Sequence, residues 1–194
     1  MSIATTTLRT AVFPRSTLFA NVAFVFSGVA FLSLLAQIAI PVPGSPVPVT
    51  GQTLGVLLLA TSYGATLGTS TFLMYLLVGA LGAPVFANGG SGIDRIFGAT
   101  GGYLLGMLLT SALLGYLGGR KWDQKFKTAL PAMLLGNVIT FSLGLLWLHQ
   151  YTGKDWAWTI SAGFTPFILG EILKIAIAGT SLPLIWQFVQ RKIS

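Results

Sequence analysis

Apolar residues run along this chain in long, nearly unbroken stretches, separated by short polar or Gly/Pro-rich breaks. The stretches fall at about residues 18–40, 51–63, 65–82, 99–119, 129–150 and 164–188. Runs near twenty residues, without the ten-residue alternation of barrel strands, predict membrane-spanning helices. The second run is short, so 51–82 reads either as one long helix, giving five spans, or as two helices turning near Gly64. Basic residues decide between these. With six spans and the N-terminus inside, Arg9, Arg15, Arg120, Lys121, Lys125, Lys127, Arg191 and Lys192 face the cytoplasm. Arg95 and Lys154 then lie outside, each beside an aspartate, Asp94 or Asp155. Five spans would put Arg120 to Lys127 outside, against the positive-inside rule. The expected fold class is an all-α integral membrane protein, a compact bundle of six transmembrane helices with both termini cytoplasmic. It forms one transmembrane domain over 1–194, with a cytoplasmic N-terminal tail over 1–16 and a multi-pass place in the plasma membrane.

Composition agrees. Of 194 residues, 54% are hydrophobic and 8% charged, against about 25% charged in soluble domains. The net charge of +7 is accounted for by topology, so no nucleic-acid partner is expected. Cysteine is absent, which excludes disulfides and thiolate metal sites, and the single His149 excludes a multi-histidine cluster. No metal or cofactor is expected. The run from Leu18 to Ile40 is too long for a signal h-region and no small-residue cleavage pattern follows, so no cleavable signal is expected.

Small residues recur at helical spacing. Ala132, Gly136, Thr140 and Gly144 repeat on the fifth span, and Gly98, Gly102 and Gly106 at the start of the fourth. Such rows let helix backbones approach closely in a membrane. Ala20, Ala23, Ser27 and Ala30 form a comparable stripe on the first span. That stripe reads equally as internal packing or as a docking face for another membrane protein. Trp147, Trp156 and Trp158 near the outer face, and Trp122 and Trp186 near the inner one, read as interfacial belts. Trp156 and Trp158 would alternatively cap an outer cavity.

Candidate chemistry concentrates in the last span. Glu171 and Lys174 are its only charges and, three apart, share one helix face. Ionisable residues inside a span are rare and usually functional. The pair offers a strong acceptor and a strong donor to a polar ligand, or else it is a structural ion pair locking the bundle. Two outer loops point the same way. Residues 40–52 hold four prolines and two glycines, are uncharged, and cannot be helical. The helix that follows, about 20 Å long, is short of the roughly 30 Å hydrocarbon core. The Pro-rich segment therefore dips below the outer surface, where irregular backbone survives only against protein or a wet cavity. The second loop, 82–103, interleaves glycines with Phe86, Asn88, Phe97 and Tyr103. A pocket opening outward and floored by Glu171 and Lys174 is the expectation. Gln52 is either a pocket residue or an interhelical hydrogen bond.

At these loops the chain resembles a known family. The strings from Ala36 to Pro41, Pro46 to Val56, Gly79 to Phe86 and Phe97 to Gly106 together resemble the BioY family. These are biotin-specific substrate-binding (S) components of energy-coupling factor (ECF) transporters. The resemblance implies six helices, biotin bound from the outer side, and coupling to a transmembrane T component and cytosolic ATPases. The family's last span resembles Pro-Phe-x-x-Gly-Asp-x-x-Lys, whereas here Glu171 stands at the Asp position, one methylene further out. A carboxylate accepts from the ureido N–H groups of biotin and an ammonium donates to its carbonyl, in charge-assisted bonds. Phe86, Tyr103 and Pro48 would hold the bicycle and the valeryl chain, with Gln52 and Asn88 completing the polar contacts. Ala20, Ala23 and Ser27 would dock the T component.

Other functions remain to be weighed. The chain has no Walker A motif and cannot hydrolyse ATP by P-loop chemistry. A stand-alone or proton-coupled carrier of biotin or another small vitamin-like solute is the alternative, with Glu171 as the coupling group. An intramembrane enzyme is disfavoured by the lack of an evident nucleophile or metal cluster. A scaffold binding only proteins, or a homo-oligomer, is compatible with the pattern.

Overall fold

The computed structural model describes residues 6–15 and 17–193, with side chains through Arg191. Residues 1–5 and 16 of the expected tail, and the charge of Lys192, lie outside the described residues. In chain order the helices are α1 (Leu8–Val12), α2 (Leu18–Gln37), α3 (Gln52–Tyr63), α4 (Ala65–Ala80), α5 (Ile93–Ile96), α6 (Gly101–Gly119), α7 (Phe126–Thr152), α8 (Trp156–Gly163) and α9 (Ile168–Ile193). Each of the six apolar stretches carries a long helix. Four runs have the length and apolarity to cross a membrane: α2, α6, α7 and the stretch Trp156–Arg191 that contains α8 and α9. The surface is apolar as well. Leu18 is 81% and Phe19 84% exposed, while the hydroxyls of Thr61, Thr71, Thr110 and Thr140 are buried. This inversion of the usual water-soluble pattern suits a lipid surround.

Local chemistry sets the boundaries. Thr17 opens α2 by accepting the Ala20 N–H at 3.1 Å, an N-cap bond. Gly64 divides α3 from α4 at φ +85°, and a Cβ there would lie 2.8 Å from Thr7 Cγ2; the turn needs glycine on both counts. The rows of small residues on α6 and α7 face each other. A Cβ on Gly106 would sit 2.6 Å from the Thr140 Cα, and one on Gly136 2.8 Å from Thr110 Cγ2. Thr110 Oγ1 donates across this seam to the Gly136 carbonyl at 2.7 Å.

Three elements were not expected from sequence. The Pro-rich segment is a small antiparallel hairpin, β1 (Ala39–Ile40) against β2 (Val49–Thr50), rather than wholly irregular backbone. The four prolines, Pro41, Pro43, Pro46 and Pro48, all lie in the connection, so the paired residues keep their N–H groups. Within the expected tail, Thr7 and Thr10 form a reciprocal cap that folds α1. Asp155 caps α8 by accepting from Trp158 N at 2.7 Å. Two tryptophans depart from the belt reading. Trp186 is 3% exposed and donates to Asp123 Oδ2 at 2.5 Å, and Trp147 donates to the Gly98 carbonyl at 2.9 Å. Both are spent on anchoring loops to helices. Trp156 is exposed and stacks on His149 at 4.1 Å.

The basic loops gather at one end of the bundle, with α1, the Gly64 turn and the α6–α7 connection. The hairpin and the Gly-rich loop gather at the other end, over a core around Tyr75, Phe86, Tyr103, Phe141 and Phe167.

Candidate functional site

Under the hairpin and the Gly-rich loop lies a cavity of about 120 Å³. One water needs roughly 10–15 Å³ on this measure, so the space suits a small organic solute. Pro46, Val47 and Pro48 of the hairpin line it, with Asn88 and Arg95 of the second loop. Gln52 and Thr53 reach it from α3, Tyr103 and Met107 from α6, and Glu171 from α9.

The polar part begins with Glu171, 7% exposed. Its Oε1 accepts from Thr53 Oγ1 at 2.9 Å and from Lys174 Nζ at 2.6 Å, while its buried Oε2 has no partner among the described residues. Lys174 Nζ donates as well to the Thr50 carbonyl at 2.6 Å and to Thr53 Oγ1 at 3.0 Å. The ammonium thus spends its three hydrogens on protein oxygens, and Lys174 is not among the residues lining the cavity. Its position is behind Glu171, tying α9 to the strand β2 and the start of α3. The carboxylate is left with one oxygen committed and one lone-pair-bearing oxygen unspent in a buried setting. Such a group is unfavourable unless a donor completes it.

The remaining polar residues are mostly committed to the walls. Gln52 accepts from Thr50 Oγ1 at 3.1 Å and donates to Tyr75 Oη at 2.7 Å; Tyr75 donates in turn to the Val85 carbonyl at 3.0 Å. This relay links hairpin, α3, α4 and second loop. Gln37 fastens the same loop, accepting from Gly89 N at 2.9 Å and donating to the Phe86 carbonyl at 3.1 Å. Between those bonds Asn88 takes φ 57°, ψ 36°, a left-handed conformation that asparagine tolerates, and lines the cavity exposed. Tyr103 donates to the Gly163 carbonyl at 2.8 Å and stacks on Phe167 at 6.3 Å. Phe141 meets Tyr103 edge-on at 5.7 Å. The result is an aromatic wall opposite the prolines.

Of the seven ligand-binding candidates read from sequence, Glu171, Gln52, Asn88, Phe86, Tyr103 and Pro48 line this one cavity. Lys174 stands behind it. The sequence reading missed Thr53, which bridges Glu171 and Lys174, and Phe141 and Phe167. It treated Arg95 only as a topological charge, although Arg95 is the one cation among the described residues lining the cavity. A signal existed for Arg95, since it follows the Gly-rich run directly; none marked Thr53. The stripe on α2 lies elsewhere. Ala20 is half-buried and Ala23 and Ser27 are exposed, with Ser27 Oγ 3.4 Å from Tyr63 Oη of α3.

A lipid-faced helical bundle that encloses a small aromatic and polar cavity under two Gly/Pro loops belongs to the class of solute-handling membrane proteins. The sequence model of the BioY family matches residues 6–191, and the chain belongs to that family. It is 40% identical over 161 residues to the biotin transporter BioY2 of Lactococcus lactis subsp. cremoris, covering 80% of this chain and 85% of that one. To the biotin transporter BioY of Thermotoga maritima it is 37% identical over 139 residues, covering 72% and 80%. Its fold matches the crystal structure of the S-component for biotin from an ECF-type ABC transporter with TM-score 0.78. That match covers 89% of this chain and 95% of that one, at 23% identity, and so concerns the fold.

Proposed function

We propose that this chain is the substrate-binding subunit of a biotin uptake transporter, not an enzyme, taking biotin as cargo from the outer side. The observation that carries the reading is Glu171, whose buried Oε2 has no partner among the described residues, in the lining of an aromatic cavity. A cyclic urea supplies the missing donor: one ureido N–H to Glu171, with the Asn88 amide near enough to the same wall to serve the ureido carbonyl. Arg95, at the mouth, suits the valerate carboxylate, and Phe86, Tyr103 and Pro48 suit the ring and chain. Lys174 acts through Glu171, holding its carboxylate in place.

The basic end of the bundle supports six spans with both termini cytoplasmic; a single domain and a place in the plasma membrane are part of the same proposal. The Ala20, Ala23 and Ser27 stripe, half-buried at Ala20 and exposed at the other two, is the proposed face for an ECF T component, which would work with cytosolic ATPases. Isothermal titration with biotin tests the core of the reading. Glu171→Gln, which keeps the size and removes the charge, should weaken binding about 10- to 100-fold, the worth of one charge-assisted bond. Unchanged affinity would remove Glu171 from the site.

The same free carboxylate oxygen favours one second reading, a proton-coupled carrier working alone. Uptake that stops when the proton gradient collapses but survives ATP depletion would select it.

A further inference from the structure

A second and much larger cavity, about 1200 Å³, lies at the basic end between α1, α2, α4 and the end of α6. It shares no lining residue with the first. Arg9, Arg120 and Lys121 line it, and none of its described lining residues is acidic. Arg9 is 7% exposed. Its Nη2 donates to Asn21 Oδ1 at 2.6 Å, its guanidinium lies 5.0 Å over the Phe24 ring, and its buried Nε has no partner among the described residues. The Arg120 guanidinium is held 4.5 Å over the Tyr116 ring. These cations are fixed by neutral groups, and a donor is left unspent in a buried place. That arrangement is costly unless an anion completes it.

The walls on α2 and α4 carry apolar side chains beside a few neutral polar ones, Asn21, Thr66 and Ser70. Val22 and Phe26, one helical turn apart on α2, are 45% and 55% exposed. Leu67 and Met74 line the opposite wall on α4. A free anion would leave these walls uncovered, and an uncharged helix would leave Arg9 unsatisfied. An amphiphile with an anionic head answers both. We propose that this groove binds one anionic glycerophospholipid, its phosphate against Arg9, Arg120 and Lys121 and an acyl chain between α2 and α4. Guanidinium and phosphate pair well in geometry, and basic pockets between helices on the cytoplasmic side are known to take such headgroups. Placement in the cytoplasmic leaflet rests on the orientation proposed above; the binding does not.

Native mass spectrometry of the full chain, offered dioleoyl phosphatidylglycerol or dioleoyl phosphatidylcholine, tests the proposal. One phosphatidylglycerol should be retained in preference. The double variant Arg120→Gln, Lys121→Gln should lower that preference about fivefold per cation removed. Ser70→Trp, which fills the groove without altering charge, should reduce retention of lipid while thermal stability stays at the wild-type level. Equal retention of the two lipids, or a preference unchanged in both variants, would overturn the site. Competition by inorganic phosphate at equal concentration would assign the cations to a soluble anion and overturn the lipid.

Discussion

Glu171 and Lys174 illustrate how differently two residues three apart can be used. Both carboxylate oxygens are buried, yet one is held by Thr53 and Lys174 and the other is free. Lys174 is saturated by Thr50, Thr53 and Glu171. Removing one partner of a buried pair strands the other, at about 3–5 kcal/mol, whereas removing both is nearly neutral. Lys174→Met should therefore weaken biotin binding and lower the melting temperature in detergent. The double variant Glu171→Gln, Lys174→Met should melt above Lys174→Met alone while still binding biotin poorly. A double variant no more stable than Lys174→Met would mean that the pair is not coupled. The presence of this pair and its shared face were legible in sequence, because 3.6 residues per turn is a local property. Which member faces the cavity was not, because that depends on Thr50 and Thr53, more than a hundred residues away.

At the scale of elements, the connection between α6 and α7 is pinned by Asp123. This aspartate lies outside the spanning helices, is 1% exposed, and bonds Trp186 of α9. Burial pushes its carboxyl up to about 6, against the opposing effect of the Trp186 hydrogen bond. A raised carboxyl pKa stabilises the fold at low pH, below the unfolded value near 3.8. That contribution is lost as pH rises through about 6. Unfolding followed by intrinsic tryptophan fluorescence should show stability falling between pH 4 and 6, and Asp123→Asn should flatten that slope. The same slope in the variant would assign it to another group. The long helices and the Gly64 turn were foreseeable, since apolar run length and a lone glycine between two runs are sequence properties. The α1 and α8 helices were not, being too short for periodicity and made by caps at Thr7 and Asp155. The hairpin was hidden because its strands are two residues each, too short to show an alternation.

For the whole molecule, the two ends differ in kind: one carries the basic loops, the other the cavity. The chain has no cysteine, so single cysteines report topology without background. Pro43→Cys should react with an impermeant maleimide in intact cells, and Lys125→Cys only after permeabilisation. The reverse pattern would invert the proposed orientation. Bulky replacements at Ala23 and Ser27 should leave biotin affinity intact and reduce ATP-driven uptake, as expected if the exposed stripe meets a T component. Unchanged uptake together with unchanged co-purification of that component would leave the stripe as lipid-facing surface.

Sequence alone determined the helical membrane class, the approximate limits of the long helices, the small-residue rows that pack inside the bundle and six residues of the cavity lining. Each depends on run length, spacing or composition, which neighbours in the chain carry. Tertiary structure decided the rest. It placed Thr53 between Glu171 and Lys174, left one carboxylate oxygen of Glu171 buried without a partner among the described residues, set Lys174 outside the cavity lining and brought Arg95 into it. It also put Arg9 beside Arg120 at the far end. These are meetings between segments distant in the chain, set by how the helices pack, and no local pattern encodes them.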